Sequence, residues 1–232
     1  VIDRHLCAVL VPIMIKRLIL LALIGAFWLL LPWEVITQGP LSPWNCVRSS
    51  RCVMAQERGE ALATALEESI NRAIQYIKRQ QRDDGSWPEP VSMPCGMTGL
   101  CTLALLSAGV PSDDPTVAKA LRYLRRFSTS DIDKTYPIAL QTMVFCRADP
   151  ARDAPRILEN IRWLEKTQIK DAPDRGGWSY PGSSADNSNS QFALLALYEA
   201  ERVGVRASDE TWNMTREYWE SSQNPDGSWG YR

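Results

Sequence analysis

The stretch Gln81-Arg-Asp-Asp-Gly85-Ser-Trp87 decides the fold that this sequence predicts, because Gln223-Asn-Pro-Asp-Gly227-Ser-Trp229 repeats it near the other end of the chain. Each copy has a glutamine, three intervening residues, a glycine, one further residue and a tryptophan. A looser copy lies between them, with Gln168 followed after a longer spacer by Gly176 and Trp178. Recurrence of this kind indicates a repeat protein, in which each unit buries its apolar surface against its neighbours.

The spacing of the copies also predicts a degenerate one. Gln81 and Gln168 lie 87 residues apart, which corresponds to two units of about 43 residues, a period typical of repeat architectures. A further copy is therefore expected near residue 126. There the stretch 123–128 ends a helical pattern without glutamine, glycine or tryptophan.

From residue 60 onward two kinds of helix alternate. Four stretches are amphipathic, with apolar residues every three or four positions. Their predicted buried faces are Leu62, Leu66, Ile70, Ile74 and Ile77; Val117, Leu121 and Leu124; Ile157, Ile161 and Leu164; and Trp212, Thr215 and Trp219. Three stretches between them, at 99–108, 136–146 and 191–198, are apolar all round. The alternation predicts two concentric layers, with apolar inner helices covered by amphipathic outer ones and with their N-terminal loops facing a central cavity.

Local signals mark several helix ends. Asp114 and Pro115 fit the N-cap and the first helical position of the second amphipathic helix. Gly109 and Gly204 follow apolar stretches and predict left-handed C-terminal caps.

Composition excludes several functions. A net charge of -1 argues against a nucleic-acid partner. The six cysteines are dispersed without a C-x-x-C pair, and the single histidine is His5, so no zinc site is predicted and no cofactor is expected.

The N-terminal segment predicts export. Residues 18–31 are an uninterrupted apolar run preceded by Lys16 and Arg17, and we expect translation to start at Met14. The run fits a signal peptide or an uncleaved membrane anchor within a leader of residues 1–33, with the basic pair on the cytoplasmic side. The remainder would then be exported, periplasmic or membrane-anchored, beginning with a linker at 34–59. A buried helix in a cytosolic protein is the alternative.

The two clean motifs, each preceded by an amphipathic helix, resemble the repeats of the squalene-hopene cyclase and protein prenyltransferase α/α-toroid superfamily. The resemblance covers about residues 60–232 and implies an all-α fold, an α/α toroid of two concentric helical layers. In that superfamily the glutamine and tryptophan pack together and tie one outer helix to the next unit. The resemblance therefore gives structural roles to Gln81, Gly85, Trp87, Gln168, Gly176, Trp178, Gln223, Gly227 and Trp229.

The resemblance also proposes catalytic residues. Squalene-type cyclases protonate an alkene with the central aspartate of a D-x-D-D motif at the entrance to an inner helix. By position the best match is Asp186-Asn-Ser-Asn189, which keeps the first aspartate but has Ser188 at the protonating position. The stretch Asp131-Ile-Asp133-Lys134 is a second candidate, although pairing with Lys134 would lower the pKa of its aspartates, which is unfavourable for an acid. Otherwise this stretch caps a helix.

Two other branches of the fold are not supported. Prenyltransferases need zinc ligands that include a histidine, and His5 lies in the leader. Thioester domains carry G-C-G-E-Q, and here Cys95-Gly96 lacks the following Glu-Gln pair.

Two functions remain open on the sequence. The first is a non-catalytic repeat protein that binds a lipid such as a polyprenoid, or a protein partner. Candidate ligand-binding residues are Trp178, Tyr180, Asn187 and Asn189, although these residues also suit a loop that satisfies its own backbone. The second is a terpenoid cyclase or isomerase with an altered acid. Loss of D-x-D-D favours the first.

We expect an incomplete arc. Four amphipathic and three apolar helices are fewer than closed rings of the superfamily contain, and no apolar helix follows Trp229. An end of that kind exposes apolar surface, which predicts a protein partner or self-association there.

Overall fold

The computed structural model of the chain describes residues 43–180 and 184–231, with side chains from residue 60 onward. The predicted leader, its apolar run at 18–31 and the beginning of the linker lie outside the described residues. Within the described ranges all regular structure is α-helical, which confirms the all-α prediction. The helices are α1 (Pro43–Arg79), α2 (Gly96–Ser107), α3 (Pro115–Leu124), α4 (Thr135–Ala148), α5 (Pro150–Thr167), α6 (Asn187–Arg202) and α7 (Asp209–Ser221).

The described part of the predicted linker at 34–59 is helical, because α1 begins at Pro43. The glycine and prolines that suggested a linker are Gly39, Pro40 and Pro43, and the residues 44–58 contain neither type. Proline suits the first helical position, so Pro43 starts the helix instead of interrupting it. The chain divides into two compact units, 1–66 and 67–232, and the boundary between them falls inside α1.

The predicted buried face of α1 is largely exposed. Leu62, Leu66 and Ile70 are all exposed, and only Ile74 and Ile77 pack against the core. The periodicity of the sequence shows one apolar face, but it does not show which residues of that face are buried. This part of the burial prediction is therefore wrong.

The other amphipathic helices pack more closely. The predicted faces of α3 and α5 are buried throughout, and Asp114 caps α3 by accepting a hydrogen bond from Thr116 N. In α7 the buried residues are Thr211, Met214, Thr215 and Tyr218. The predicted face of Trp212, Thr215 and Trp219 is therefore wrong for the two tryptophans, which are only partly buried.

The apolar helices lie side by side, with α4 packed between α2 and α6. Every residue of α4 from Pro137 to Cys146 is buried. By contrast, α2 exposes Met97 and Leu100, and α6 exposes Leu195 and Tyr198. Burial on all sides, which the sequence predicted for all three helices, is therefore found only in α4, because among the described helices it alone has an apolar helix on both sides.

Candidate functional site

The glutamines of the first two motifs each bind the first turn of a following amphipathic helix. Gln81 Nε2 donates to the carbonyl of Thr116 in α3 at 2.9 Å. Gln168 Nε2 donates in the same way to the carbonyl of Thr211 in α7 at 3.1 Å. Each amide also donates to the carbonyl of the glycine in its own motif. One side chain thus closes its own turn and holds the next amphipathic helix.

The tryptophans of these motifs bind the helix that precedes them. Trp87 Nε1 donates to Ile77 O, and Trp178 Nε1 donates to Leu164 O, both at 2.8 Å. In each case the acceptor lies four residues before the motif glutamine. Both rings are buried. Trp178, which the sequence also proposed as a ligand contact, is therefore enclosed in the motif and does not face a ligand; that assignment is corrected.

The glycines of these motifs touch the backbone of the helix that the glutamine holds. Gly85 has φ +94, and a Cβ built there would lie 2.4 Å from Lys119 O. Gly176 has φ +93, and its Cβ would lie 1.9 Å from Met214 O. Both the positive φ and the close approach require glycine.

The third motif has the same internal geometry without the following helix. Gln223 Nε2 donates to Gly227 O at 2.9 Å, and Trp229 Nε1 donates to Trp219 O at 2.9 Å. Gly227 has φ +84, yet the nearest atom to its Cβ position is Gln223 Nε2 at 3.9 Å. Trp229 is 46% exposed. The third motif is therefore formed, but no helix among the described residues covers it.

Near residue 126, where the sequence predicts a degenerate copy, different side chains connect the helices. Arg125 forms a bidentate pair with Asp153 in the first turn of α5, at 2.8 and 2.7 Å. Gln141 Nε2, from α4, donates to Leu124 O at 3.0 Å, and Gln141 Oε1 accepts from Asn160 Nδ2 at 2.9 Å. The ion pair thus holds α5, the next amphipathic helix. The buried amide of Gln141 donates to the end of α3, as the motif indoles donate to the helices that precede them.

The loop that enters α6 contains the first candidate acid. Asp186 is the N-cap residue of α6 and is buried. Its Oδ1 accepts from Asn189 N at 2.7 Å, and its Oδ2 accepts from Asn189 Nδ2 at 2.8 Å. Asn187 binds the chain after the third motif, with its N donating to Tyr231 O and its Nδ2 donating to Gly230 O. These hydrogen bonds occupy the carboxylate of Asp186 and the amide nitrogens of both asparagines, whereas the buried oxygens Asn187 Oδ1 and Asn189 Oδ1 have no hydrogen-bond partner among the described residues.

The second candidate loop binds the carboxylate of Asp131 through its own residues. Asp131 Oδ2 accepts from the backbone and hydroxyl of Ser128, and these hydrogen bonds hold the pKa of Asp131 below its usual range. The predicted pairing with Lys134 is wrong, because Lys134 Nζ donates to Ser92 O instead. Asp133 is exposed. The helix-cap alternative is wrong as well, since α4 begins after Lys134 without a side-chain cap.

An aromatic cluster lies at the entrances of α4 and α6, and we define it as Tyr136, Tyr180 and Phe192. The rings of Tyr136 and Tyr180 are stacked with centroids 6.1 Å apart, and Phe192 lies 4.6 Å from Tyr136. The Tyr136 hydroxyl shares a hydrogen bond with Ser188, the residue at the protonating position of the cyclase pattern. Burial raises the pKa of Tyr180, so its hydroxyl remains neutral.

No protein-family model matches the chain. No curated protein and no solved structure matches it either. The resemblance to the toroid superfamily therefore depends on the motif residues alone.

The aromatic cluster differs from the predicted ligand site in its members. Of the predicted residues only Tyr180 belongs to it, since Asn189 is fully buried in the α6 cap and Asn187 binds the chain after the third motif. Tyr136 and Phe192 were missed because each stands inside an apolar stretch, where an aromatic residue is read as core.

The entrance to α2 provides a cap and no nucleophile. Cys95 is buried with φ 67, and burial, followed by the charge of Glu89, raises the pKa of its thiol. The Glu89 carboxylate accepts from Cys95 N at 3.0 Å and from the Tyr123 hydroxyl at 2.8 Å. A thiol of this kind stays protonated, so Cys95 acts as a small core residue.

Two further findings concern the described part of the chain. No three His, Cys, Asp or Glu side chains in it are grouped so that they could hold a metal ion. None of its helices has both the length and the apolar character needed to cross a membrane. The predicted anchor at 18–31 lies outside this part.

Proposed function

We propose that residues 60–232 are an arc of an α/α toroid and that the protein is a non-catalytic binding protein, exported or membrane-tethered through its N-terminal segment. The observation that carries this proposal is the position of Asp186. Both of its carboxylate oxygens accept hydrogen bonds within the α6 cap, and the residue at the protonating position is Ser188. Protonation of an alkene needs a strong acid, which a serine hydroxyl is not.

The packing of the helices supports the toroid. The apolar helices lie in a row with α4 enclosed between α2 and α6, and α3 and α5 pack against members of that row. Two motif glutamines connect an amphipathic helix to a later one, Gln81 at the end of α1 to α3 and Gln168 at the end of α5 to α7. An inner layer covered by an outer layer accounts for both observations.

The aromatic cluster is the surface that we propose for the ligand. Tyr136, Tyr180 and Phe192 are each partly buried, so their rings offer apolar area that is still reachable. Stacked aromatic rings with a hydroxyl at one edge suit an isoprenoid chain or an apolar side chain of a protein. A lipid such as a polyprenoid is therefore the first class to test, and a protein partner is the second.

A turnover and binding experiment tests the proposal. The purified protein is incubated with squalene and linear polyprenoids, and products are analysed by mass spectrometry, with binding followed by quenching of intrinsic fluorescence. We expect binding without any cyclised product. Tyr136→Ala should weaken binding about tenfold, while Tyr76→Ala, which removes an exposed tyrosine of α1, should leave it unchanged.

A cyclised product that disappears in Asp186→Asn would overturn the proposal and establish a terpenoid cyclase with an altered acid. Equal binding by Tyr136→Ala and the unaltered protein would instead move the ligand away from the aromatic cluster.

A further inference from the structure

A cleft of about 290 Å³ lies where the loop of the first motif meets α3. Three cations line it together with two acids and one aromatic ring, and these residues are Lys119, Arg122, Arg126, Asp83, Asp84 and Tyr123. Arg126 stacks on Tyr123, with its guanidinium carbon 4.6 Å from the ring centroid. Within the described part of the chain none of the three cations forms an ion pair. Their charges are therefore available to a ligand.

The equivalence of α3 and α7 shows that the repeat does not need these cations. The motif glutamines bind Thr116 of α3 and Thr211 of α7 in the same way. The motif glycines likewise approach the backbone of Lys119 and of Met214. With this alignment the three cations correspond to an apolar, an acidic and a neutral residue, namely Met214, Glu217 and Ser221. The second motif therefore holds α7 without a cation at any of these positions.

The loops of the two copies differ as well. In the second copy Arg175, directly before the motif glycine, pairs with Glu217 at 2.6 Å. The corresponding residues of the first copy, Asp84 and Arg122, also have opposite charges but form no ion pair. Instead, Asp84 Oδ1 accepts from Ser86 N at 2.9 Å and from Ser86 Oγ at 2.7 Å. The charge that an ion pair neutralises in the second copy is thus left free in the first.

Phosphate is the anion that these donors suit best. The planar guanidinium of arginine offers two parallel N–H donors that match two phosphate oxygens, and lysine adds a point charge. The cleft is close to the lower limit of about 300 Å³ for small-molecule pockets. A compact phosphorylated molecule therefore fits it better than a polymer does.

The two aspartates indicate what else the ligand carries. The carboxylate of Asp83 and Oδ2 of Asp84 accept no hydrogen bond from the described residues. Hydrogen bonds from the backbone and hydroxyl of Ser86 hold the pKa of Asp84 below its usual range, so its carboxylate is ionised and only accepts. Two carboxylates repel a bare anion but bind hydroxyl groups. A ligand with hydroxyls beside its phosphate uses both kinds of side chain.

We propose that this cleft binds a small phosphorylated polyol, such as a sugar phosphate. Lys119, Arg122 and Arg126 hold the phosphate, and Asp83 and Asp84 accept hydrogen bonds from the hydroxyl groups. The cleft shares no residue with the aromatic cluster, so it is a second site with a ligand of its own.

Isothermal titration calorimetry of the full chain in a phosphate-free buffer tests the proposal. The probes are glycerol 3-phosphate, ribose 5-phosphate and glucose 6-phosphate, compared with inorganic phosphate and with the unphosphorylated polyols. We expect saturable binding of at least one phosphorylated polyol, weaker binding of inorganic phosphate, and none of the unphosphorylated compounds.

Two variants and one control assign the binding to the cleft. Arg122→Gln should weaken binding of the phosphorylated polyol at least about tenfold, because it removes a charged pair of donors. Arg162→Gln is the matched control, since Arg162 is an exposed arginine of α5 that does not line the cleft, and it should bind normally. Asp83→Ala should reduce the preference for the polyol over inorganic phosphate about fivefold, because one acceptor is lost.

The contrary outcomes are equally distinct. Absence of binding of all three phosphorylated polyols in the millimolar range, or binding that Arg122→Gln leaves unchanged, refutes the site. An equal loss in Arg162→Gln refutes it as well, because general surface charge would then attract the ligand. Inorganic phosphate that binds as tightly as every phosphorylated polyol overturns the role of the aspartates. None of these results depends on lipid binding or turnover, so the two proposals fail separately.

Discussion

Replacing Gly176 with alanine should destabilise the protein more than the same change at a glycine with equal φ and no neighbour. Gly204 is that control, with φ +89 and no atom within 4 Å of its Cβ position, against φ +93 and 1.9 Å to Met214 O at Gly176. Alanine in the left-handed region costs about 1–2 kcal/mol at either position.

The difference comes from the contact with α7. A Cβ at Gly176 forces α7 away, which breaks the hydrogen bonds from Gln168 Nε2 to Thr211 O and to Thr215 Oγ1. Each contributes about 1 kcal/mol, so the free energy of unfolding should fall by about 3–4 kcal/mol in Gly176→Ala and by about 1–2 kcal/mol in Gly204→Ala. Gly227→Ala should behave like the control, because its site is open.

Urea unfolding followed by far-UV circular dichroism measures these costs, with a common slope required for the comparison. Equal costs for Gly176→Ala and Gly204→Ala would show that the approach of α7 to the motif contributes nothing, and would refute the role of the glycine.

Four further predictions follow from single features. Trp178→Ala should cost about 3–5 kcal/mol as a buried ring, but Trp229→Ala clearly less because its ring is 46% exposed; equal losses in urea unfolding would contradict this. Gln141→Leu should cost about 1–3 kcal/mol by leaving buried polar groups unpaired, and a neutral effect would remove its role as substitute for the indole. Hydrogen bonds from Ser86 lower the pKa of Asp84 below its usual value of 3.8. The ionised carboxylate therefore stabilises the fold above pH 3.8, and this contribution is lost as the pH falls through the lowered pKa. Melting temperatures of Asp84→Asn and the unaltered protein should differ near neutrality and converge in acid. A reporter active only outside the cytoplasm, fused to residues 14–60, should give a signal, and a silent but well-expressed fusion would contradict export.

Sequence periodicity predicted the helices well, because a helix with one buried face has apolar residues every three or four positions. It could not show what covers that face. The row of Leu62, Leu66 and Ile70 has the same pattern as the buried row of α5, yet its side chains are exposed.

The contacts near residue 126, where the sequence predicts a degenerate copy, could not be described from sequence. Its contacts join Arg125 to Asp153 and Gln141 to Leu124, so they connect four separate stretches of chain. No local sequence pattern indicates that these contacts replace those of the motif. The intact motifs, by contrast, have glutamine, glycine and tryptophan in one short stretch.

The candidate site was predicted least well. Proximity in sequence grouped Trp178 with Tyr180. The ring of Trp178 is buried, whereas the ring of Tyr180, two residues later, belongs to the aromatic cluster. The stacking partner Tyr136 comes from a helix more than forty residues earlier, and only the packing of α4 beside α6 brings it there.

Exchange of the indole protons tests the central claim most directly, namely that three motifs share one geometry and that the third is open. All three indoles donate a hydrogen bond to the preceding helix, but only Trp87 and Trp178 are buried under a following one. In the nitrogen-15 NMR spectrum of the full chain, the indole protons of Trp87 and Trp178 should exchange slowly with deuterium, and that of Trp229 should exchange much faster. Fast exchange at all three positions would contradict the shared geometry, and protection of Trp229 equal to that of Trp178 would contradict the open site.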